Sequence, residues 1–138
     1  MKFHLPQGEG ILPYWLLFNA LLSFLNSFQS FLSLTETRKI YAGPRSSIPT
    51  PQATPLFART FGCYTLLSGM LRAITAYNIS DPNLYALATW AYVVVVGYWG
   101  TEWLYFGTVT GGPALYGSIV VDGGGLLIML SQWSRYLA

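Results

Sequence analysis

The chain has 138 residues, of which 53% are hydrophobic and only 9% charged, with a formal net charge of +2. A soluble domain carries about 25% charged residues to wet its surface, so seven basic and five acidic side chains exclude a water-exposed globule of this size. The bases Lys2, Arg38, Lys39, Arg45, Arg59, Arg72 and Arg135 are too scattered for a nucleic-acid face, and the single Cys63 excludes an intrachain disulfide or a cysteine metal site.

A spanning helix needs about 20 mainly apolar residues, and four segments meet that requirement. The first covers 11–34, with Pro13 tolerated in its first turn. It exceeds the roughly 7–15 residues of a signal core, and the Thr35-Glu-Thr-Arg-Lys39 that follows lacks a small-x-small cleavage pattern, so it reads as a retained span. Within it, Asn19, Ser23, Asn26, Ser30, Ser33 and Thr37 recur every three or four residues. That spacing predicts one polar stripe on one helix face, with Leu and Phe facing lipid.

The stretch 35–55 is the one sizeable loop. It holds Pro44, Pro49, Pro51 and Pro55, and is expected to lie extended on the membrane surface rather than as regular helix. The second span is predicted at 56–78, where Gly62, Thr65, Gly69, Arg72 and Ala76 share a face. A short turn at 79–83, marked by Pro82, leads to the third span at 84–106. A glycine-rich turn at 107–113 leads to the fourth at 114–133, with Ser118, Asp122, Gly125, Met129 and Gln132 along one side. Small and hydroxylated residues are what membrane helices use to approach one another closely. The expected fold is an all-α membrane protein, an up-down-up-down bundle of four transmembrane helices forming a single domain.

The positive-inside rule gives a weak preference for orientation. Arg38, Lys39 and Arg45 lie in the first loop with Arg59 just inside the second span, against Lys2 and Arg135 on the opposite side, which favours a cytosolic 35–55 loop.

Four ionisable groups fall within the spans: Arg59, Arg72, Glu102 and Asp122. Charges at membrane depth face inward and take partners. At a rise of about 1.5 Å per residue, Arg59 and Glu102 lie roughly 12 Å and 10 Å from their helix centres, both toward the first-loop face. An Arg59–Glu102 ion pair is therefore expected. Arg72 is about level with Asn19 by the same rise, and Asp122, near the midplane, is its expected acidic partner.

Catalytic chemistry has little to stand on. His4 is the only histidine, too few for a membrane di-iron centre or for a Ser-His-Asp or Cys-His arrangement. The clusters Gly111-Gly112 and Gly123 to Gly125 match neither a dinucleotide fingerprint nor a phosphate loop. No cofactor and no metal are expected.

The run Ala58-Arg-Thr-Phe-Gly62, then Thr65, Ser68, Arg72 and Ala76, continues through Leu84-Tyr85, Thr89-Trp90, Glu102 and Gly107-Thr108. Together with Trp15 and the region 26–29, this pattern resembles the ergosterol biosynthetic protein 28 family over about residues 13–108. The resemblance implies a non-catalytic, multi-pass protein of the endoplasmic reticulum membrane. Such a protein would tether the sterol C-4 demethylation enzymes: the 4-methyl oxidase, the decarboxylating 3-dehydrogenase and the 3-keto reductase. An association with the sterol C-24 methyltransferase is implied for fungal members. The candidate interaction residues are Arg59, Glu102, Arg72, Asp122, Asn19 and Asn26, with Arg38, Lys39 and Arg45 offered to partners or to anionic headgroups. Membrane lipid and sterol are expected contacts, nucleic acid is not, and homo-oligomerisation is left open. The alternative reading is a small transporter or a sterol- or lipid-binding module using a polar bundle interior around Asp122.

Overall fold

The computed structural model describes residues 5–6, 10–47 and 50–137, and these are helical with no strand among them. His4 and Lys2 lie outside the described residues. The helices are α1 (Leu12–Leu32), α2 (Leu34–Ile40), α3 (Pro55–Tyr77), α4 (Pro82–Leu104), α5 (Pro113–Ser131) and α6 (Trp133–Leu137).

Proline sets where the long helices begin. Each of α1, α3, α4 and α5 has a proline in its first turn, where the missing N–H is not needed and the fixed φ suits the helix. Two starts are capped by side chains. Thr54 Oγ1 accepts from the Phe57 amide at 3.1 Å, and Asp81 Oδ1 accepts from the amides of Asn83 and Leu84 at 2.9 and 3.2 Å. Pro82 therefore opens α4 rather than standing in a turn.

The 35–55 segment departs from the expected extended loop. Residues Leu34–Ile40 form α2, set off from α1 by Ser33 in extended conformation. The prolines that forbid helix begin only at Pro44, and Glu36 and Lys39, 3.1 Å apart, support the short helix one turn apart.

Three of the helices, α1, α4 and α5, are long and apolar enough to cross a membrane. The fourth expected span, α3, is 23 residues long but is not among them, because Arg59, Arg72 and its Thr, Ser and Gly residues dilute its apolar character.

Successive long helices run in opposite directions. At one end, Leu12 and Leu16 of α1, Ala76 of α3, Tyr85 of α4 and Met129 of α5 share a buried core, with Tyr136 of α6 closing it. At the other end, Phe61, Val95, Trp99 and Leu115 form a second core with Tyr41, Ala53 and Val109 from the loops. The most extensive packing is α1 on α3 and then α4 on α5. Both contacts depend on glycine. A Cβ at Gly62 would lie 2.8 Å from the Phe31 ring, and one at Gly125 would lie 2.5 Å from the Tyr92 ring.

The two loops at the second core are joined through their backbones. The Gly43 amide donates to the Thr108 carbonyl at 3.0 Å, Arg45 to Gly107 at 2.8 Å and Thr110 to Ile40 at 3.1 Å. Gly43 has no room for a side chain, since a Cβ would meet the Gly107 carbonyl oxygen at 2.5 Å, and Gly107 itself turns the chain with φ of 68°.

A buried ion pair between two cores

The two cores do not meet, and a cavity of about 390 Å³ lies between them. Its wall draws on all four long helices: the polar stripe of α1, the small-residue face of α3, the inner faces of Val95, Tyr98 and Trp99 on α4, and the first half of α5. The heptad-like spacing that keeps Asn19, Ser23 and Asn26 on one side of α1 turns all three into this wall. Farther along the stripe, Asn26, Ser30 and Thr37 line a second cavity of about 250 Å³ with Glu36 and Lys39. Asn26 and Ala114 border both, so the stripe runs from the loop end into the bundle.

Arg72 and Asp122 stand at the head of the larger cavity. Arg72 Nη2 lies 3.4 Å from Asp122 Oδ1, and the residues are only 4% and 8% exposed. The pairing expected from depth is therefore formed. Arg72 also donates from Nη1 to Ser23 Oγ at 3.4 Å, and its guanidinium sits 4.3 Å over the Tyr92 ring. An aromatic face attracts a cation most strongly where water is excluded. Gly125 allows that ring to come close to α5.

Several polar atoms around the pair have no protein partner. They are Asn19 Oδ1, Ser68 Oγ and Arg72 Nε, and, just behind, Tyr92 Oη and Trp15 Nε1. The Asn19 amide is oriented by its own hydrogen bond, with Nδ2 donating to the Trp15 carbonyl at 2.7 Å, which leaves the oxygen as the spare acceptor.

The expected Arg59–Glu102 pair is not formed. Among the described residues the ion pairs are Lys39–Glu36 and Arg72–Asp122. Arg59 is exposed on the outer face of α3, whereas Glu102 accepts a hydrogen bond from the Thr108 hydroxyl and lines a loop cavity with Arg45 and Gln52. Matching depth fixed the level of the two side chains but not their direction. At about 100° per residue, the thirteen steps from Arg59 to Arg72 leave them roughly 140° apart, so the two arginines cannot both face inward.

Of the loop bases, Arg38 Nε donates to the Ala53 carbonyl at 3.1 Å and Lys39 pairs with Glu36. At the same end, Tyr41 and Tyr98 share a hydrogen bond, and burial followed by the neighbouring Tyr98 pushes the Tyr41 phenol up from its ordinary range. Tyr92 is a functional residue that the polar pattern of the sequence does not mark. The signal was present in Tyr85, Ala88, Tyr92, Val95 and Trp99, which recur every three or four residues and are all buried.

The fold and this interior define a helical protein whose apolar helices suit a membrane and which holds one buried ion pair, Arg72–Asp122, inside. A family model described as Erg28 like protein matches residues 12–127, and the chain belongs to that family. It is 36% identical over 129 residues to ergosterol biosynthetic protein 28 of Saccharomyces cerevisiae, covering 93% of this chain and 84% of the relative. To the Candida albicans protein of the same name it is 34% identical over 128 residues, covering 93% and 89%. The human ergosterol biosynthetic protein 28 homolog is 29% identical over 122 residues, covering 88% and 84%. No solved structure matches the chain.

Proposed function

We propose that this protein is a non-catalytic scaffold of sterol biosynthesis. It would sit in the endoplasmic reticulum membrane as four spans (α1, α3, α4 and α5) and tether the sterol C-4 demethylation enzymes: the 4-methyl oxidase, the decarboxylating 3-dehydrogenase and the 3-keto reductase. In fungal settings the sterol C-24 methyltransferase is a further partner. The observation that carries the reading is the family match across 12–127, together with curated relatives named for ergosterol biosynthesis.

The physical case is consistent with docking rather than chemistry. Outward-facing Leu25, Phe28, Trp90, Val120 and Leu127 are largely exposed, giving broad lateral surface where membrane partners pack by shape. Arg38, Lys39 and Arg45 are exposed beside the loops, suited to acidic segments of partners or to anionic headgroups. The crossing of α3 is supported by Arg72, whose charge is met inside the bundle by Asp122.

Affinity purification from membranes in a mild detergent tests the reading. The three C-4 demethylation enzymes should co-purify, and deletion should raise 4-methyl or 4-carboxy sterols. Recovery of none of them, under conditions that preserve other membrane complexes, would overturn it.

A further inference from the structure

The stretch of wall at Arg72 is built for a ligand that the protein's own atoms do not supply. Asn19 and Arg72 are 1% and 4% exposed and Ser68 is 8% exposed, and all three line the cavity with polar atoms lacking a protein partner. A buried polar atom without a partner costs about 1–3 kcal/mol, and such atoms do not gather in one place without something to satisfy them.

The inventory defines the missing chemistry. Ser68 Oγ and Arg72 Nε can donate, whereas Asn19 Oδ1 can only accept. Asp122 already offsets the Arg72 charge, so a neutral group fits and a second carboxylate would lie against the first. A hydroxyl is the small neutral group that both accepts from the donors and donates to Asn19. Beside the polar residues Ser23, Asn26, Thr65 and Ser118, the wall carries an aromatic side made by Phe61, Tyr64, Tyr98 and Trp99. At about 390 Å³ the cavity falls in the range of small-molecule sites, roughly 300–1,000 Å³. Flat aromatic walls suit a rigid fused-ring body. An opening is available between α1 and α5, whose mutual packing is sparse and where the lining residues Leu22, Ala114 and Gly117 are exposed.

We propose that the cavity between the two cores binds a neutral fused-ring lipid, a 3-hydroxysterol, with its hydroxyl held by Asn19, Ser68 and Arg72. The hydroxyl follows from the unpartnered atoms. The sterol class rests on the proposed place in sterol synthesis, whereas the tethering of enzymes is not required for it.

The test uses the full chain in lipid nanodiscs with a photoreactive 3-hydroxysterol carrying a diazirine on its rings. Labelling should saturate, map to peptides around Asn26, Tyr64 and Ser118, and be competed by unlabelled 3-hydroxysterol. A 3-keto analogue, unable to donate to Asn19, and a 3-deoxy analogue should compete at least about tenfold more weakly, the equivalent of one lost hydrogen bond of about 1.4 kcal/mol. Arg72→Met also removes a bundle contact, so Ser68→Ala carries the mutational arm. It should weaken competition several-fold while the thermal unfolding midpoint of the sterol-free protein does not fall.

Labelling that never saturates and spreads over Leu25 and Val120 would mean ordinary lipid contact and overturn the proposal. So would saturable labelling that ignores the sterol head group, or equal competition by a diacylglycerol. The enzyme co-purification is read in parallel: sterol labelling without recovered enzymes removes the scaffold and leaves the site, and the converse removes only the site.

Discussion

The Arg72–Asp122 pair offers the sharpest test of the bundle. Replacing Asp122 by Asn keeps the volume and removes the counter-charge, leaving a guanidinium that is 4% exposed with Ser23 at 3.4 Å and the Tyr92 ring at 4.3 Å. Breaking a buried pair from one side costs about 3–5 kcal/mol because the other charge is stranded. The surviving cation–π contact returns about 1–2 kcal/mol of that in a dry setting, so Asp122→Asn should destabilise by roughly 2–3 kcal/mol. Arg72→Met strands the carboxylate, which has no aromatic face to fall back on, and should cost more, about 3–5 kcal/mol. The double variant Arg72→Met with Asp122→Leu removes both charges and should lie within about 1 kcal/mol of the parent. The measurement is unfolding free energy in mixed micelles across the four proteins of a double-mutant cycle, which isolates the coupling. Losses that simply add, with coupling under about 0.5 kcal/mol, would refute the view that this pair pins the bundle.

Three further outcomes follow from named contacts. Alanine substitutions of glycine should rank by what the new Cβ meets: Gly43→Ala worst, because it meets only loop backbone, then Gly125→Ala against the buried Tyr92 ring, then Gly62→Ala, where the exposed Phe31 can swing aside. Gly97→Ala meets nothing within 4 Å and should be neutral or stabilise by up to about 1 kcal/mol; any other order in thermal unfolding contradicts the packing. Exchanging charges as Arg59→Glu with Glu102→Arg should give no rescue over the single variants, since the side chains are apart, and a measured rescue would restore the pairing. Asp81→Ala removes an acceptor for two α4 amides and should cost about 1 kcal/mol, whereas Asp81→Asn should recover most of it, as read by unfolding in the same micelles.

Much of this arrangement could be read from the chain because the relevant forces are local. Pro13 is legible as a first-turn residue, whereas Pro55, Pro82 and Pro113, read as loop or turn residues, open α3, α4 and α5 in the same way. The α1 stripe was readable because polar residues at three- and four-residue spacing have one place to go in an apolar solvent. Arg72–Asp122 was readable by elimination, with one buried acid at the right depth. The failures have a common origin in direction and distance. Depth sets the level of Arg59 but not its azimuth, and the prolines that suggest an extended 35–55 segment act only downstream of α2. The pairing of residues 40–45 with 107–110 runs through backbone groups that every residue carries, so no side-chain pattern announces it. The unpartnered atoms of Asn19 and Ser68 likewise emerge only when four helices are assembled around a void.

The backbone link between those loops bears on the order in which the protein is made. Gly43 and Arg45 leave the ribosome more than sixty residues before Gly107 and Thr108, the partners that fix them. In that interval α1 and α3 can associate only as a hairpin, which accords with theirs being the most extensive helix contact in the molecule. Arg72 has Ser23 as its companion until α5 delivers Asp122. The later hairpin then completes the interior and latches the earlier one at the same end. A chain stopped before residue 107 would hold an open latch and an unneutralised arginine.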